Sequence, residues 1–392
     1  MDDSRTADSV NPADRPASIA IAIGISVAGV APFIIQPVYL GALADHLHFS
    51  SEQLGFVAGS EISGSVIASI AAFFWVKRWN WRVVAAFALS FIFLGNLASA
   101  WVTDFHVLAI TRFLTGVFGL GTAYALAVAA VSDSQKLNRN FSLAVVGQVS
   151  VGVLAFALLP PQIEAWGVKA VFVPLAILGL VMLPALGRLP RSRRERPAVA
   201  RSAAAGSSVP AWLALGCQWV WYVGTGGVWA FIERLGVDAG IEHAAVGRAL
   251  AVGMALGLAG AFGAAAIGDR FGRILPLTIA LLGQAASIWL IAGVGVPNDY
   301  LVAVTLFNIC WNLALPFVLG TAATADTSGR LIVLLPMAQT TALVIGSVTA
   351  GIVIGRFGLG AVLYQGAISI FLALLIYIAV VNMITARERA EA

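Results

Sequence analysis

A run of about 20 apolar residues can carry an α-helix across the roughly 30 Å hydrocarbon core of a bilayer. This chain holds such runs one after another along nearly its whole length. They are Ala17 to Leu40, Gln53 to Val76, Arg82 to Val102, Phe105 to Val131, Phe141 to Ile163 and Val168 to Gly187, then Ala211 to Ile232, Val246 to Ile267, Ile274 to Gly295, Tyr300 to Ala322, Leu331 to Gly355 and Gly360 to Ile384. Composition rules out a soluble fold. Hydrophobic residues make up 60% of the chain and charged residues 11%, against roughly 45–50% and about 25% in an ordinary soluble domain. So few charges cannot cover a water-facing surface. The sequence predicts an all-α polytopic membrane protein with 12 transmembrane helices in two pseudo-symmetric six-helix bundles.

The division between the bundles falls at the one long polar interruption, Arg188 to Pro197, which continues through Arg201 to Pro210. Arginines at this density repel one another and prolines disfavour helix, so the stretch reads as a solvated tether. Residues 1–187 then form an N-terminal six-helix bundle, 188–210 a basic linker and 211–392 a C-terminal six-helix bundle. An even number of spans places both termini on one side of the membrane. Lys77, Arg78, Arg82, Lys136, Arg139, the linker arginines, Arg270, Arg273, Arg330, Arg387 and Arg389 share that side, whereas the opposite turns hold only Lys169, Arg234, Arg248 and Arg356. Excess Lys/Arg marks the cytoplasmic face, so both termini are expected in the cytoplasm and the protein in a bacterial-type inner (plasma) membrane. The net charge of +4 follows from this topology and argues for no nucleic-acid partner. Asp2, Asp3, Asp8 and Asp14 make the N-terminus unlike a secretory leader, and the first run is read as a retained span. Cys217 and Cys310 lie inside apolar runs and imply no disulfide framework.

The two halves repeat one another. A shift of about 192 residues lays Gly55 over Gly247 and Arg78 over Arg270. After a slip of one, Arg139 falls on Arg330, Gln148 on Gln339 and Trp166-Gly167 on Phe357-Gly358. Such recurrence along most of a half indicates a duplicated six-helix unit of the kind found in transporters.

The turn after the eighth run reads Ala265-Ala266-Ile267-Gly268-Asp269-Arg270-Phe271-Gly272-Arg273, which resembles the Gly-x-x-x-Asp-Arg-x-Gly-Arg signature of the major facilitator superfamily. The resemblance extends to the six-plus-six layout with a basic central loop, and so covers the whole chain. It implies a cytoplasmic gating motif carried by Asp269, Arg270, Gly272 and Arg273. Two departures stand out: Ala265 replaces the first glycine, and in the first half Lys77 stands where the carboxylate of Asp269 would be. The fourth run, with Arg112 followed by Gly116 and Gly119, resembles a second family signature that the family links to proton coupling. The Gly-Pro signature of the drug/proton antiporters is absent from the fifth run, which weighs against export.

Ionisable residues inside membrane spans are costly, about 2.5–3.5 kcal/mol on insertion scales, and therefore point to mechanism. Glu61 and Arg112 lie well inside the second and fourth runs at similar depth, about 10–13 Å below the outer surface at 1.5 Å per residue. They are expected to pair, either as a proton-carrying couple or as a permanent structural ion pair. Glu233 and Arg234, at the end of the seventh run, are either gate or interfacial charges. The family resemblance places runs one, four, seven and ten around a central cavity, so Gln36, Tyr124, Gln218, Asn308 and Asn312 are its candidate polar lining. Asn308 and Asn312 share a helix face and serve either the cavity or a neighbouring helix. Trp221 and Trp311, with Trp219 and Trp229, offer flat rings for an aromatic or amphipathic solute. Gly24, Gly29, Pro32 and Pro37 in the first run, and Gly224, Gly226 and Gly227 in the seventh, are hinge candidates.

The sequence holds no Walker loop and no His-Glu-x-x-His spacing, and His46, His48, His106 and His243 are all placed in predicted outer turns, so no enzyme activity, cofactor or metal is expected. The expected function is secondary active transport of a small organic solute by alternating access, coupled to protons, in a monomer embedded in the lipid bilayer. The alternatives are a multidrug or metabolite efflux antiporter, and a non-transporting membrane receptor or scaffold of the same fold.

Overall fold

The computed structural model describes residues 14–192, 209–268, 270–272, 274–326 and 334–391. Twelve spans follow in order: α1 (Pro16–Ile34, resuming as Gln36–Leu47 beyond a break at Ile35), α2 (Ser51–Trp75), α3 (Trp81–Ser99), α4 (Phe105–Ser132), α5 (Leu137–Trp166), α6 (Lys169–Met182), α7 (Val209–Asp238), α8 (His243–Ile267), α9 (Ile274–Ala292), α10 (Pro297–Ala325), α11 (Leu335–Phe357) and α12 (Ala361–Glu391). We use inner end for the side holding the start of α1 and the end of α12, and outer end for the opposite side.

Local chemistry sets the helix limits. Ser50 and Gln53 cap α2 reciprocally, with Ser50 N–H donating to Gln53 Oε1 at 2.9 Å and Gln53 N–H to Ser50 Oγ at 3.3 Å. The Asp104 carboxylate takes the Val107 N–H at 2.9 Å to start α4. Gly167 and Gly358 close α5 and α11 with φ of 58° and 87°, a left-handed region that glycine enters without penalty. These two glycines are equivalent in the internal repeat.

Several boundaries differ from those expected. The first span runs on to Leu47, because Pro32 and Pro37 break it at Ile35 without ending it. The chain also stays packed on the first bundle beyond residue 187: the Ser18 hydroxyl donates to Arg188 O at 2.7 Å, Arg82 Nε to Leu189 O at 2.6 Å and Trp81 N–H to Arg191 O at 2.8 Å. The linker arginines from Arg193 to Arg201 lie outside the described residues. The glycines of α7 make no break in the helix in this conformation. That helix is continuous, and Gly224, Gly226 and Gly227 let it sit close against Ser369 of α12 and Leu343 and Gly346 of α11. His46 and His243 belong to helix ends rather than turns.

The outward faces carry exposed rings and aliphatics such as Phe73, Phe74, Leu158, Phe262 and Trp289, as lipid contact requires. The two halves meet through three helix pairs, α2 with α11, α5 with α8, and the outer arm of α1 with α7. In the first, Gly55 packs on Ser347 and Gly351; in the second, Gly247 packs on Phe156 and Pro160. Gly55 and Gly247 are repeat-equivalent, so duplication has produced two matching seams. All three contacts lie toward the outer end, whereas Gly216 of α7 and Gly320 of α10, toward the inner end, face open space. The molecule is closed outside.

Candidate functional site

Glycine brings the two buried charges together. A Cβ on Gly64 of α2 would meet the backbone of Phe113 and Val117, and one on Gly116 of α4 would meet the backbone of Glu61. These helices therefore touch backbone to backbone, with Glu61 and Arg112 across the contact. Arg112 Nε donates to Glu61 Oε2 at 2.7 Å and Nη2 closes on the same oxygen. Nη1 donates to Asn96 Oδ1 at 2.8 Å and to Ser99 Oγ at 3.3 Å, both on α3. The face of the guanidinium lies over the Phe172 ring of α6, 5.1 Å from its centroid. Arg112 and Asn96 are 0% exposed and Glu61 2%. A buried ion pair is tolerable only when its remaining donors are satisfied, and Asn96 and Ser99 supply that. Just beyond Arg112, α4 widens into a π-helical segment, Thr115–Gly121, a feature often found at functional sites.

A second polar cluster ties the halves together at the outer end. Arg234 of α7 pairs with Asp45 on the outer arm of α1. His243 of α8 lies 3.0 Å from Glu233 Oε1 through Nδ1 and 3.7 Å from Asp45 Oδ2 through Nε2. Glu233 is 5% exposed, its carboxylate resting against Gly41. Asp45, Glu233 and His243 line a cavity of about 290 Å³ with His46, Pro160 and Glu164. Asp45 and His243 are not among the residues that the sequence singles out for the site; the signal it offers is the polar pair Asp45-His46 a few residues after the first apolar run.

The expected cavity residues divide. Trp311 is half-buried amid the rings of Tyr222, Trp229 and Phe307, at centroid distances of 6.0, 5.9 and 5.8 Å. Gln36 and Gln218 are fully buried; the Gln36 amide lies beside the Tyr39 hydroxyl, and the Gln218 amide has no hydrogen-bond partner. The Tyr124 ring is exposed on α4. Trp221 does not line the cavity: it is fully buried, and its Nε1 donates to Gln284 of α9 at 2.7 Å, inside the C-terminal bundle. Asn308 and Asn312 also turn away, toward Gly257 of α8, and their amides donate to their own helix at Val304 O and Asn308 O. Of the inner-end motif, Gly272 turns the chain at φ 68° and Arg270 N–H donates to Ile267 O at 3.2 Å. Asp269 and Arg273 lie outside the described residues.

Two bundles of six helices, packed across duplicated seams, with a sealed ion pair inside the first bundle, have the architecture of a membrane transporter rather than of an enzyme. The chain belongs to the major facilitator superfamily, whose family model matches residues 21–328. The fold is similar to that of the nucleoside transporter NupG, solved as an aspartate-to-alanine variant, with TM-score 0.75 and 11% identity over 92% of this chain and 99% of that one. It is similar to a D-xylose-proton symporter, with TM-score 0.75 and 14% identity over 92% and 97%. A bacterial homologue of the human lysosomal transporter Spinster, captured inward-facing and unoccupied, gives TM-score 0.69 and 14% identity over 96% and 98%. No curated protein matches the sequence.

Proposed function

We propose that the protein is a secondary active transporter that moves a small organic solute by rocking its two bundles about a central site, driven by protons carried on Glu61. The single observation behind the proton role is the sealed Glu61–Arg112 pair, a carboxylate placed in the membrane interior where charge is costly and rarely kept without use. Its proton state and its grip on Arg112 are linked: a neutral acid loses the Coulombic part of the contact, and the guanidinium then rests on Asn96, Ser99 and Phe172. Similarity to a proton symporter supports the same reading. The half-buried Trp311 cluster suits an aromatic or amphipathic solute, and similarity to a nucleoside transporter is consistent with a flat ring. The inner end is the cytoplasmic one, on the distribution of Lys and Arg, and the protein is a monomer of the inner membrane.

The test is reconstitution in liposomes under an imposed proton gradient. Internal pH is followed as uridine, D-xylose, small aromatic acids, amphipathic drugs and amino acids are added in turn. Solute-dependent proton entry that Glu61→Gln abolishes is expected. Solute uptake that proceeds unchanged in Glu61→Gln would remove the proton role.

A further inference from the structure

The outer arm of α1, Gln36–Leu47, faces two sites at once. One side closes the outer end, through Asp45 to Arg234 and Gly41 to Glu233. The other turns into the N-terminal bundle, where the Tyr39 ring lies 6.0 Å from that of Phe172, the ring over which Arg112 sits. Tyr39 is 0% exposed, and its hydroxyl lies within electrostatic reach of both Glu61 and Arg112. Gln36, three residues earlier and so on the same helix face, is also 0% exposed and sets its amide beside that hydroxyl. Neither group makes a full hydrogen bond in this outward-closed conformation. With only the Gln36 amide beside it, the buried hydroxyl gains little here, and phenylalanine would fill the same space without the cost of burying a polar group. A packing role therefore leaves the oxygen unexplained.

We infer that Tyr39, backed by Gln36, is the positioning residue that couples the outer gate to the proton on Glu61. This inference rests on the proton-coupled reading above. When Glu61 is ionised and the arm has moved with the opening gate, the Tyr39 O–H donates to the carboxylate. When Glu61 is protonated, its own O–H donates to the Tyr39 oxygen and the tyrosine hydrogen turns to the Gln36 carbonyl. No covalent bond other than the O–H of Glu61 is made or broken, and the proton count changes at Glu61 alone. Because the arm carries both Tyr39 and the gate residues, neither event proceeds without the other.

The experiment needs no solute. Spin labels at Thr103→Cys, in the exposed outer turn before α4, and Asn298→Cys, exposed at the outer start of α10 in the opposite half, report opening by electron–electron distance measurement on full-length protein in nanodiscs, with Cys217→Ser and Cys310→Ala in the background. The ratio of open to closed populations in the parent should change roughly fivefold or more between acid and mildly alkaline buffer. Because His243 of the gate, beside Glu233 and Asp45, also ionises near neutrality, all proteins compared carry His243→Gln, and Glu61→Gln should abolish the response that remains. Tyr39→Phe should keep both distances yet respond by less than about twofold. A Tyr39→Phe protein that responds like the parent overturns the inference and leaves the role of Glu61 intact. A parent without a pH response, or a Glu61→Gln protein that responds like the parent, overturns the proton-coupled reading and this inference with it. If Tyr39→Phe is not monodisperse, Gln36→Leu takes its place, and a parental response there equally removes the chain.

Discussion

Gly247→Ala is expected to open the outer end without unfolding the protein. A Cβ at that position would lie against the Phe156 carbonyl oxygen and 2.5 Å from Pro160 Cγ. Neither neighbour yields, one being backbone and the other a ring fixed within α5. Restoring an ordinary contact of about 3.4 Å requires α8 to withdraw by about 0.9 Å, the difference between 3.4 and 2.5. Overpacking of this size costs about 1–3 kcal/mol, and here the cost falls on the outward-closed state alone, because the seam parts when the bundles rock. The closed-to-open ratio should therefore fall roughly 5- to 150-fold. The assay reads the opposite seam. Ser347, 1% exposed and facing Gly55, is replaced by cysteine in a chain carrying Cys217→Ser and Cys310→Ala, and a membrane-impermeant maleimide is added from outside. Labelling should accelerate about tenfold on introducing Gly247→Ala. If the rate at Ser347→Cys does not change while the protein remains folded, the two seams do not close as one body, and the rigid-bundle reasoning fails.

Three further outcomes follow from named contacts. Arg112→Leu leaves Glu61 buried without a cation and should cost about 3–5 kcal/mol; the Glu61→Gln/Arg112→Leu double variant should recover much of this, and equal losses of thermal stability in detergent would contradict the pairing. Asp45→Asn removes one partner of an ion pair whose side chains are 30% and 35% exposed, worth about 0–1 kcal/mol, so the Ser347→Cys labelling rate should rise less than about fivefold. Trp311→Ala should raise the KM of the transported solute about tenfold while the maximal rate changes less than about twofold; a fall in rate at unchanged KM would place the ring in gating instead.

What the amino-acid pattern made legible depended on how many chain segments had to be combined. Spans, halves and the repeat are properties of single segments or of one offset, and the equivalence of Gly55 with Gly247 reappears as two matching seams. Glu61 and Arg112 were legible because a charge in an apolar run is conspicuous and depth follows from counting residues. Asn96, an equally lone amide in the third span, joins them in the structure through Arg112 Nη1, but a neutral group is less conspicuous in an apolar run than a charge. The outer cluster draws Asp45, Glu233, Arg234 and His243 from three helices, and no local pattern brings these together. The azimuth of a side chain was also illegible: α7 and α10 show little contrast between one helix face and the other, so nothing in the sequence distinguishes the side of Trp221 or of Asn308 that meets α9 or α8 from the side that meets the cavity.

The close packing of α7 bears on how the protein is made. Among the described residues, eleven helices are long and apolar enough to cross a bilayer, and α7 is the exception, rich in Trp and Gly and buried along most of its length. A segment of that kind partitions poorly into lipid by itself, and its extensive partners, α11 and α12, come well after it in the chain. Stable insertion of α7 is therefore expected to follow the synthesis of α11 and α12, which shelter it. A nonsense mutation that removes only α12 should for this reason cost the cell the whole second bundle, through failed insertion and quality-control degradation, rather than yield a transporter short of one helix.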